Sequence, residues 1–373
     1  MRILIVKMSS MGDVVHALPL ATDLRAAQPD AEISWIVEHP FAAIPQLNPA
    51  VDRVIPIAWR RWRRRLAAAE VRAEMRAFYD DLTIEPFDLV LDCQGLIKSA
   101  VVARLAPAAL RVGPAWAFAR EPLAALAYGR RAIVPRDWHV VRRNRAIGAA
   151  ACGYSIDTPP RFGLRVAPLT PAEAGWLPAG PIAVLVTGAS RPQKLWPEPH
   201  WVAIAHRLLH AGLTPVWFWG SGDERARAER LAQSTDRALH SAPVSSGATS
   251  GTSSPAAPAD AAPGAASVAA PGPAPDATAG TTAGTTAGAI PPFLSVADAA
   301  RVLAGAAIVV GLDTGFTHLA GALGRPTIGI FCDFDATQCS VTGDGFCASF
   351  GGIGQVPQVS DVIGAIDRAL ASS

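Results

Sequence analysis

Charge is scarce in this chain, and so are the features that would anchor or cross-link it. Asp, Glu, Lys and Arg make up 17% of its 373 residues and the formal net charge is +2, so bulk electrostatics singles out no partner. The five cysteines, Cys93, Cys152, Cys332, Cys339 and Cys347, are odd in number and include no Cys-x-x-Cys pair. That argues against a disulfide framework and against the paired spacing of a zinc site, and points to reduced thiols in the cytosol. Apolar runs are broken by Gly, Pro or charge well short of a membrane span. Met1-Arg2 passes straight into a core strand with no small-residue cleavage site, so the start does not read as a secretory leader. A broad basic surface and nucleic-acid readout motifs are missing too, which argues against nucleic acid as a partner.

What the chain does have is length and apolar residues, 50% of the total, enough for two α/β domains each with its own core. In the first half, Arg2–Val6, Glu32–Val37, Arg53–Pro56 and Leu89–Asp92 read as strands, with helical patterns between them. One helix follows the first strand, one surrounds Phe41–Leu47, and one occupies roughly Leu66 to Leu82. Strands alternating with helices predict a parallel sheet covered on both faces. A Pro- and Ala-rich stretch ends this half, and residues 169–180 read as a linker. A second series follows: strand Ile182–Val186, helix Pro199–Ala211, strand Pro215–Trp219, and a helix from Glu224 to Ser234 capped by Asp223. Residues 241–292 contain almost only Ala, Gly, Pro, Ser and Thr, and no aromatic residue. Such a segment cannot bury enough apolar area to offset its ordering entropy, so it reads as a disordered surface insertion. The expected organisation is therefore a first Rossmann-like domain over 1–168, the linker, a second over 181–357, and a terminal helix in 358–373 packing back across the junction.

Two strand–turn–helix junctions carry the chemistry. Lys7-Met8-Ser9-Ser10-Met11-Gly12-Asp13 follows the apolar run Ile3–Val6 and precedes an amphipathic stretch from Val14 to Ala27. The turn brings Asp13 to a helix start, where free N–H groups and the dipole favour an ionised acid. Asp13 reads either as a cap or as a general base, and the small residues around it favour the second. Late in the chain, Val309-Val310-Gly311-Leu312 leads into Asp313-Thr314-Gly315-Phe316-Thr317-His318. Backbone N–H groups there, with the Thr314 hydroxyl, suit a diphosphate, and His318 falls one turn in. Two such turns suggest similar lobes facing one cleft. Thr187-Gly188-Ala189-Ser190, with Lys194 beyond it, follows the first strand of the second series and can meet phosphate oxygens. Lys194 reads equally as a solvated loop charge. Glu224 reads either as an acceptor for ribose hydroxyls or as compensation for the helix dipole. Arg60-Arg61-Trp62-Arg63-Arg64-Arg65 is a dense cationic cluster, either a solvated face or a site for a multiply anionic ligand. Lys98 and Arg120 follow strand-like runs on the same side.

Taken together, these motifs resemble the ADP-heptose glycosyltransferase family of lipopolysaccharide assembly. The match runs through Arg2–Val14, Arg60-Arg61-Trp62-Arg63, Gln94-Gly95-Leu96, Arg120-Glu121-Pro122-Leu123, Trp196-Pro197-Glu198 and Asp313-Thr314-Gly315 with His318-Leu319. The arginine run favours the type I branch over type II. The resemblance implies a GT-B fold, two Rossmann-like domains around a cleft. It implies inverting, metal-independent transfer of L-glycero-D-manno-heptose from ADP-heptose, a substrate and not a cofactor, to the first Kdo of Kdo2-lipid A. It further implies a monomer at the cytoplasmic face of the inner membrane. By motif, Asp13 is the base. Ser190, Lys194, Thr314, Gly315 and His318 hold the diphosphate and sugar, and Asp313 contacts the heptose. Glu224 sits near the ribose and Leu294 near the adenine. Arg60, Arg61, Arg63, Arg64 and Arg120, with Lys98, bind the acceptor's acidic groups. The chain departs from the family at Ala189, which replaces a hydroxyl residue, and at Phe331–Thr337, which replaces a Gly-Pro-Thr-like turn. The rival readings are another nucleotide-sugar enzyme on the same scaffold, such as a type II heptosyltransferase or a sugar epimerase, and a non-catalytic nucleotide- or lipid-binding protein.

Overall fold

The computed structural model describes residues 1–241 and 288–372. Its first sheet holds β1 (Arg2–Val6), β2 (Glu32–Glu38), β3 (Arg53–Ile57), β4 (Phe87–Asp92), β5 (Ala108–Pro114) and β6 (Arg130–Ala132). All pair in parallel, in the order β3-β2-β1-β4-β5-β6. The second sheet holds β7 (Ile182–Val186), β8 (Thr214–Phe218), β9 (Ile308–Leu312), β10 (Thr327–Phe331) and β11 (Cys347–Gly351). These are also parallel, in the order β11-β10-β9-β7-β8. A parallel bridge joins Val216 to Ala289. It places Ala289 beside β8, where β3 lies beside β2 in the first sheet. Both sheets therefore reverse direction at corresponding points, between β1 and β4 and between β7 and β9. Open α/β sheets bind ligands outside the strand ends at such points.

The strands are apolar on both faces because helices cover both. Along β1, Ile3 and Ile5 point into one core, and Leu4 and Val6 into another. Along β7, Val184 and Val186 share the first of these cores, while Ala183 and Leu185 enter a third. The two sheets thus have one apolar core in common rather than fully separate ones. Phe162, Leu164, Val166 and Leu169, leading into the linker, lie in it or against it. The terminal helix Val359–Ala371 buries Val362, Ala365, Ile366 and Ala369 in the second sheet's outer core, against the helix Glu198–His210. Its buried face belongs to that sheet and not to the junction.

Local departures from the sequence reading have simple causes. The stretch after β1 is two helices, Met11–Val15 and Leu18–Ala27, because Pro19 sits at the start of the second and restarts the ladder. Ser221, and not Asp223, meets the next helix start. The helix begins at Gly222, and the Glu224 N–H donates to Ser221 Oγ at 3.3 Å. That helix runs on to Ser241, so the chain stays regular to the edge of the expected insertion. Residues 242–287 of that insertion lie outside the described residues. At the far edge, Ala289 N–H donates to Pro215 O at 2.9 Å and Trp217 N–H to Ala289 O at 3.0 Å.

Asn48 pins the segment that leads into the linker to the body of the first domain. It is buried; its Nδ2 donates to Phe162 O at 3.0 Å, and its Oδ1 accepts from Ala50 N–H at 2.9 Å. Asn48→Ala leaves two buried backbone groups without these partners. It should cost about 1–3 kcal/mol in denaturant unfolding, whereas a loss under about 0.5 kcal/mol would show that water replaces the side chain.

Candidate active site

Four loops from the two switch points converge. On the first-domain side, the loop after β1 carries Asp13 and the loop after β4 carries Gln94 and Lys98. Their placement starts from a buried acid. Asp92 is fully buried at the end of β4 and accepts from Tyr128 Oη at 2.7 Å, Ser99 Oγ at 2.8 Å and Gln94 N–H at 2.8 Å. Burial raises its pKa, against the pull of these donors. Gln94 then clamps the loop after β1: its Oε1 accepts from Met8 N–H at 2.9 Å and its Nε2 donates to Ser9 O at 2.8 Å. Lys98 Nζ donates to Ser9 Oγ at 3.0 Å.

Asp13 serves as cap and remains available for more. Its Oδ2 accepts from the Ser10 N–H at 2.9 Å and Ser10 Oγ at 3.0 Å. Its Oδ1 lies 3.8 Å from Lys7 Nζ, which is buried and donates to Cys93 O at 2.8 Å. The capping box holds the carboxylate still while one oxygen stays free of it.

On the second-domain side, Asp313 follows β9. It accepts from Lys194 Nζ at 2.5 Å and from His318 Nε2 at 3.1 Å. Burial alone would raise the Asp313 pKa, but the His318 and Lys194 contacts outweigh it and hold the carboxyl below its ordinary value. Thr314 makes no side-chain cap to the helix Gly315–Ala322; its hydroxyl pairs with Thr317 Oγ1 at 3.3 Å. The helix's first-turn N–H groups therefore remain open to an anion. Thr187 is fully buried, so of that turn's two hydroxyls only Ser190 is exposed. Phe334, from the atypical Phe331–Thr337 loop, lies 5.3 Å beneath the Lys194 ammonium. Glu224 accepts from Gly220 N–H at 2.7 Å and lies over Gly188, joining the loops after β7 and β8. Leu294 is half-buried near Phe293, whose ring meets Trp219 at 5.8 Å.

The two sides meet directly. A side chain at Gly12 would stand 3.3 Å from His318 Cδ2, and one at Gly315 would stand 2.4 Å from Met11 Cγ. His16 Nε2 and His318 Nδ1 are 3.2 Å apart. With His318 Nε2–H donating to Asp313, Nδ1 accepts, so His16 is the donor. His139 joins from the third side, its Nε2 donating to Ser340 O at 3.1 Å. Burial, then His318, His139 and Lys7, hold the His16 pKa well below its ordinary value.

The arginine run divides. The Arg60 N–H donates to buried Glu38 at 3.2 Å, and Arg60 and Arg63 both act on Glu38 and Lys98. Arg61 turns away into an ion pair with Glu74, and Arg64 is exposed. Arg120 faces Arg143 and Arg136, and Arg143 also feels Asp13. Burial, then Arg136 and Arg120, lower the Arg143 pKa, and its buried Nε has no partner among the described residues. Sequence reasoning missed Glu38, His16, His139, Arg136 and Arg143 as site residues. Only the density of arginine in Arg142-Arg143-Asn144-Arg145 hinted at the last, and there Arg145 is a core residue paired with Asp23.

Two Rossmann-like sheets, one presenting a carboxylate and the other an ammonium and an open helix start, define a GT-B glycosyltransferase. The model of glycosyltransferase family 9 (heptosyltransferase) matches residues 75–243 and 273–344. Lipopolysaccharide heptosyltransferase 1 of Escherichia coli K12 is 36% identical over 332 residues, 89% of this chain and 88% of that one. The solved E. coli heptosyltransferase WaaC with ADP superposes with a TM-score of 0.77 at 32% identity, covering 99% of this chain and 100% of that one. WaaC with ADP-2-deoxy-2-fluoro heptose gives 0.72 at 32% identity, over 100% of this chain and 99% of that one. The chain belongs to glycosyltransferase family 9, the heptosyltransferases.

His16 makes the junction sensitive to acid. Its folded-state pKa is depressed, so the stability of its neutral form is intact above the ordinary histidine pKa, about 6.5, and is lost as pH falls below that. Thermal unfolding should shift downward from roughly pH 7 to pH 5, and less steeply in His16→Gln, which still offers a donor to His318. Identical slopes in the two proteins would remove His16 as a source of the dependence.

Proposed function

We propose that the protein transfers L-glycero-D-manno-heptose from ADP-heptose to the first Kdo of Kdo2-lipid A, with inversion and without a metal. The observation that supports this reading is the close approach of Gly12 to His318 and of Met11 to Gly315, which brings the loop that carries Asp13 against the helix that follows Asp313. Asp13 takes the proton from the acceptor hydroxyl as that oxygen attacks the anomeric carbon from the face opposite the diphosphate. The bond from that carbon to the diphosphate oxygen breaks with its electron pair going to ADP, and the acceptor oxygen's electron pair forms the new glycosidic bond and quenches the oxocarbenium-like charge. Negative charge grows on the departing ADP. Lys194 and the first turn of Gly315–Ala322 meet it, which gives the leaving group its stabilisation from the protein alone. Lys194 has three donors, so it can keep Asp313 while binding a phosphate oxygen.

Ser190, Thr314, Gly315 and His318 complete the diphosphate and sugar contacts, Asp313 holds the heptose, Glu224 the ribose and Leu294 the adenine. On the acceptor side, Arg60, Arg63, Lys98 and Arg120 face the cleft chemistry, and Arg61 and Arg64 lie further out. Forked guanidinium groups match the carboxylates of Kdo and the phosphates of lipid A. Among the described residues no helix is long and apolar enough to cross a membrane. A lipid acceptor therefore places the enzyme at the membrane surface, on the cytoplasmic face in this reading.

Two measurements separate these roles. Asp13→Asn should slow transfer by about a hundredfold or more while ADP binding by calorimetry stays near the parent value; near-normal transfer would exclude Asp13 as base. Arg60→Ala combined with Arg63→Ala should raise the acceptor KM by about tenfold or more and leave the donor KM unchanged. Arg61→Ala, already paired with Glu74, should do less, and an effect confined to the donor would refute the assignment.

A further inference from the structure

The helix Ile97–Leu105 carries more apolar surface than the fold uses. Its inner stripe, Ala100, Val102 and Ala103, is buried against the sheet and against Ala124 and Ala125 of the turn Pro122–Ala127. Its outer stripe, Ile97, Val101 and Leu105, recurs every fourth residue and is 42–47% exposed. Apolar residues on both the inner and the outer stripe leave the outer one without a partner among the described residues, although Lys98 and Arg104 interrupt the helix surface. The neighbouring turn adds Leu123 and Leu126 at 61% and 67% exposure, and its Ala124 and Ala125 already fill the space beneath. The two elements are fastened together, the Ile97 N–H donating to Glu121 Oε2 at 2.6 Å. Singly exposed leucines are ordinary; five large apolar side chains on two joined surface elements are not.

The rim is mostly basic. Exposed Arg104 lies within the outer stripe, and exposed Arg120 adjoins the turn. Arg131 donates to Ala125 O at 3.0 Å and its guanidinium stands 5.9 Å over the half-exposed Trp116 ring. The one acid at the turn, Glu121, is engaged by the Ile97 N–H. A second copy of the chain meeting this face would bring arginines against arginines. An anionic bilayer complements them, accepts the leucines below its headgroups, and suits an interfacial tryptophan. The first turn of the same helix carries Lys98, which donates to Ser9 Oγ in the loop that bears Asp13. The apolar face and the acceptor side of the cleft are thus continuous.

We propose that the face formed by Ile97–Leu105 and Pro122–Ala127 docks on an anionic phospholipid bilayer, so that a lipid-linked acceptor enters the cleft from the membrane plane. The second clause rests on the lipid-acceptor reading above; the docking itself does not.

The test uses the full chain and two assays. In sedimentation with vesicles, the protein should partition onto phosphatidylcholine mixed with phosphatidylglycerol and far less onto phosphatidylcholine alone. Leu123→Glu with Leu126→Glu should lower that partition by about tenfold or more, and Val101→Asn by about threefold. Circular dichroism melts confirm that each variant folds, and the milder Val101→Asn carries the test if the double variant does not. Transfer to a fully deacylated, water-soluble Kdo2-lipid A should be unchanged in both. Parent-like vesicle binding by the variants, no binding by the parent, or a dimer in solution that the same substitutions dissolve would each overturn the docking proposal. Failure of the parent to transfer to the soluble acceptor would instead sink the transferase reading and leave the vesicle result standing.

Discussion

Two short helices, Met11–Val15 and Gly315–Ala322, pack against each other across some 300 residues of chain, and the site exists because they do. Their approach is as close as backbone allows. Gly12 faces His318 and Gly315 faces Met11 with no room for a side chain at the second position. The His16–His318 hydrogen bond inside the contact is buried. A buried polar pair of this kind stabilises only when both partners are present, because an unmatched nitrogen there would bear its full desolvation cost. The junction is accordingly specific as well as apolar: imidazole from one half reads imidazole from the other.

The matched sheet orders explain why this contact lies where open α/β sheets bind ligands. Each sheet opens a crevice where its strand order reverses, and the two crevices face one another. Each half contributes what its backbone makes easily. The first supplies a carboxylate held by its own capping box, backed by Lys7 and steadied through Gln94 by buried Asp92. The second supplies an uncapped helix start and an ammonium steered by Asp313. Holding two substrates in such a gap removes much of the entropic barrier to their reaction. Cations from Lys98 to Arg143 act on one another and on Asp13, an arrangement that attracts acidic ligands to the first half's side.

Much of this was legible in the residues. β1 and β7 begin and end where their apolar runs do, since parallel strands buried on both faces leave an uninterrupted signature. Asp13, Lys194, Asp313 and His318 stand out because they follow small-residue turns after strands, although the residues alone leave a cap at Asp13 and a solvated charge at Lys194 also open. What stayed hidden depends on contacts between distant segments. Nothing local says that Arg61 will turn to Glu74 while Arg60 and Arg63 face the cleft, since all sit in one run. His16 reads as part of an amphipathic helix, and only the packed halves reveal its partner. Glu38 ends an ordinary strand, and its burial beneath Arg60 comes from the return of the chain after β3. Ala289 pairs as a lone bridge at the edge of a low-complexity stretch, a signal too short for any periodicity to show. The terminal helix shows an amphipathic face from sequence, but which sheet receives that face is a tertiary choice.

The most direct test of the central claim is a crystal structure of this protein with ADP and an unreactive heptose donor bound. The account requires the diphosphate at Lys194 and the Gly315 helix start, with the anomeric carbon about 6 Å from the Asp13 carboxylate, room for one acceptor hydroxyl between them. A donor bound with its sugar turned away from Asp13, or a diphosphate seated elsewhere, would contradict it.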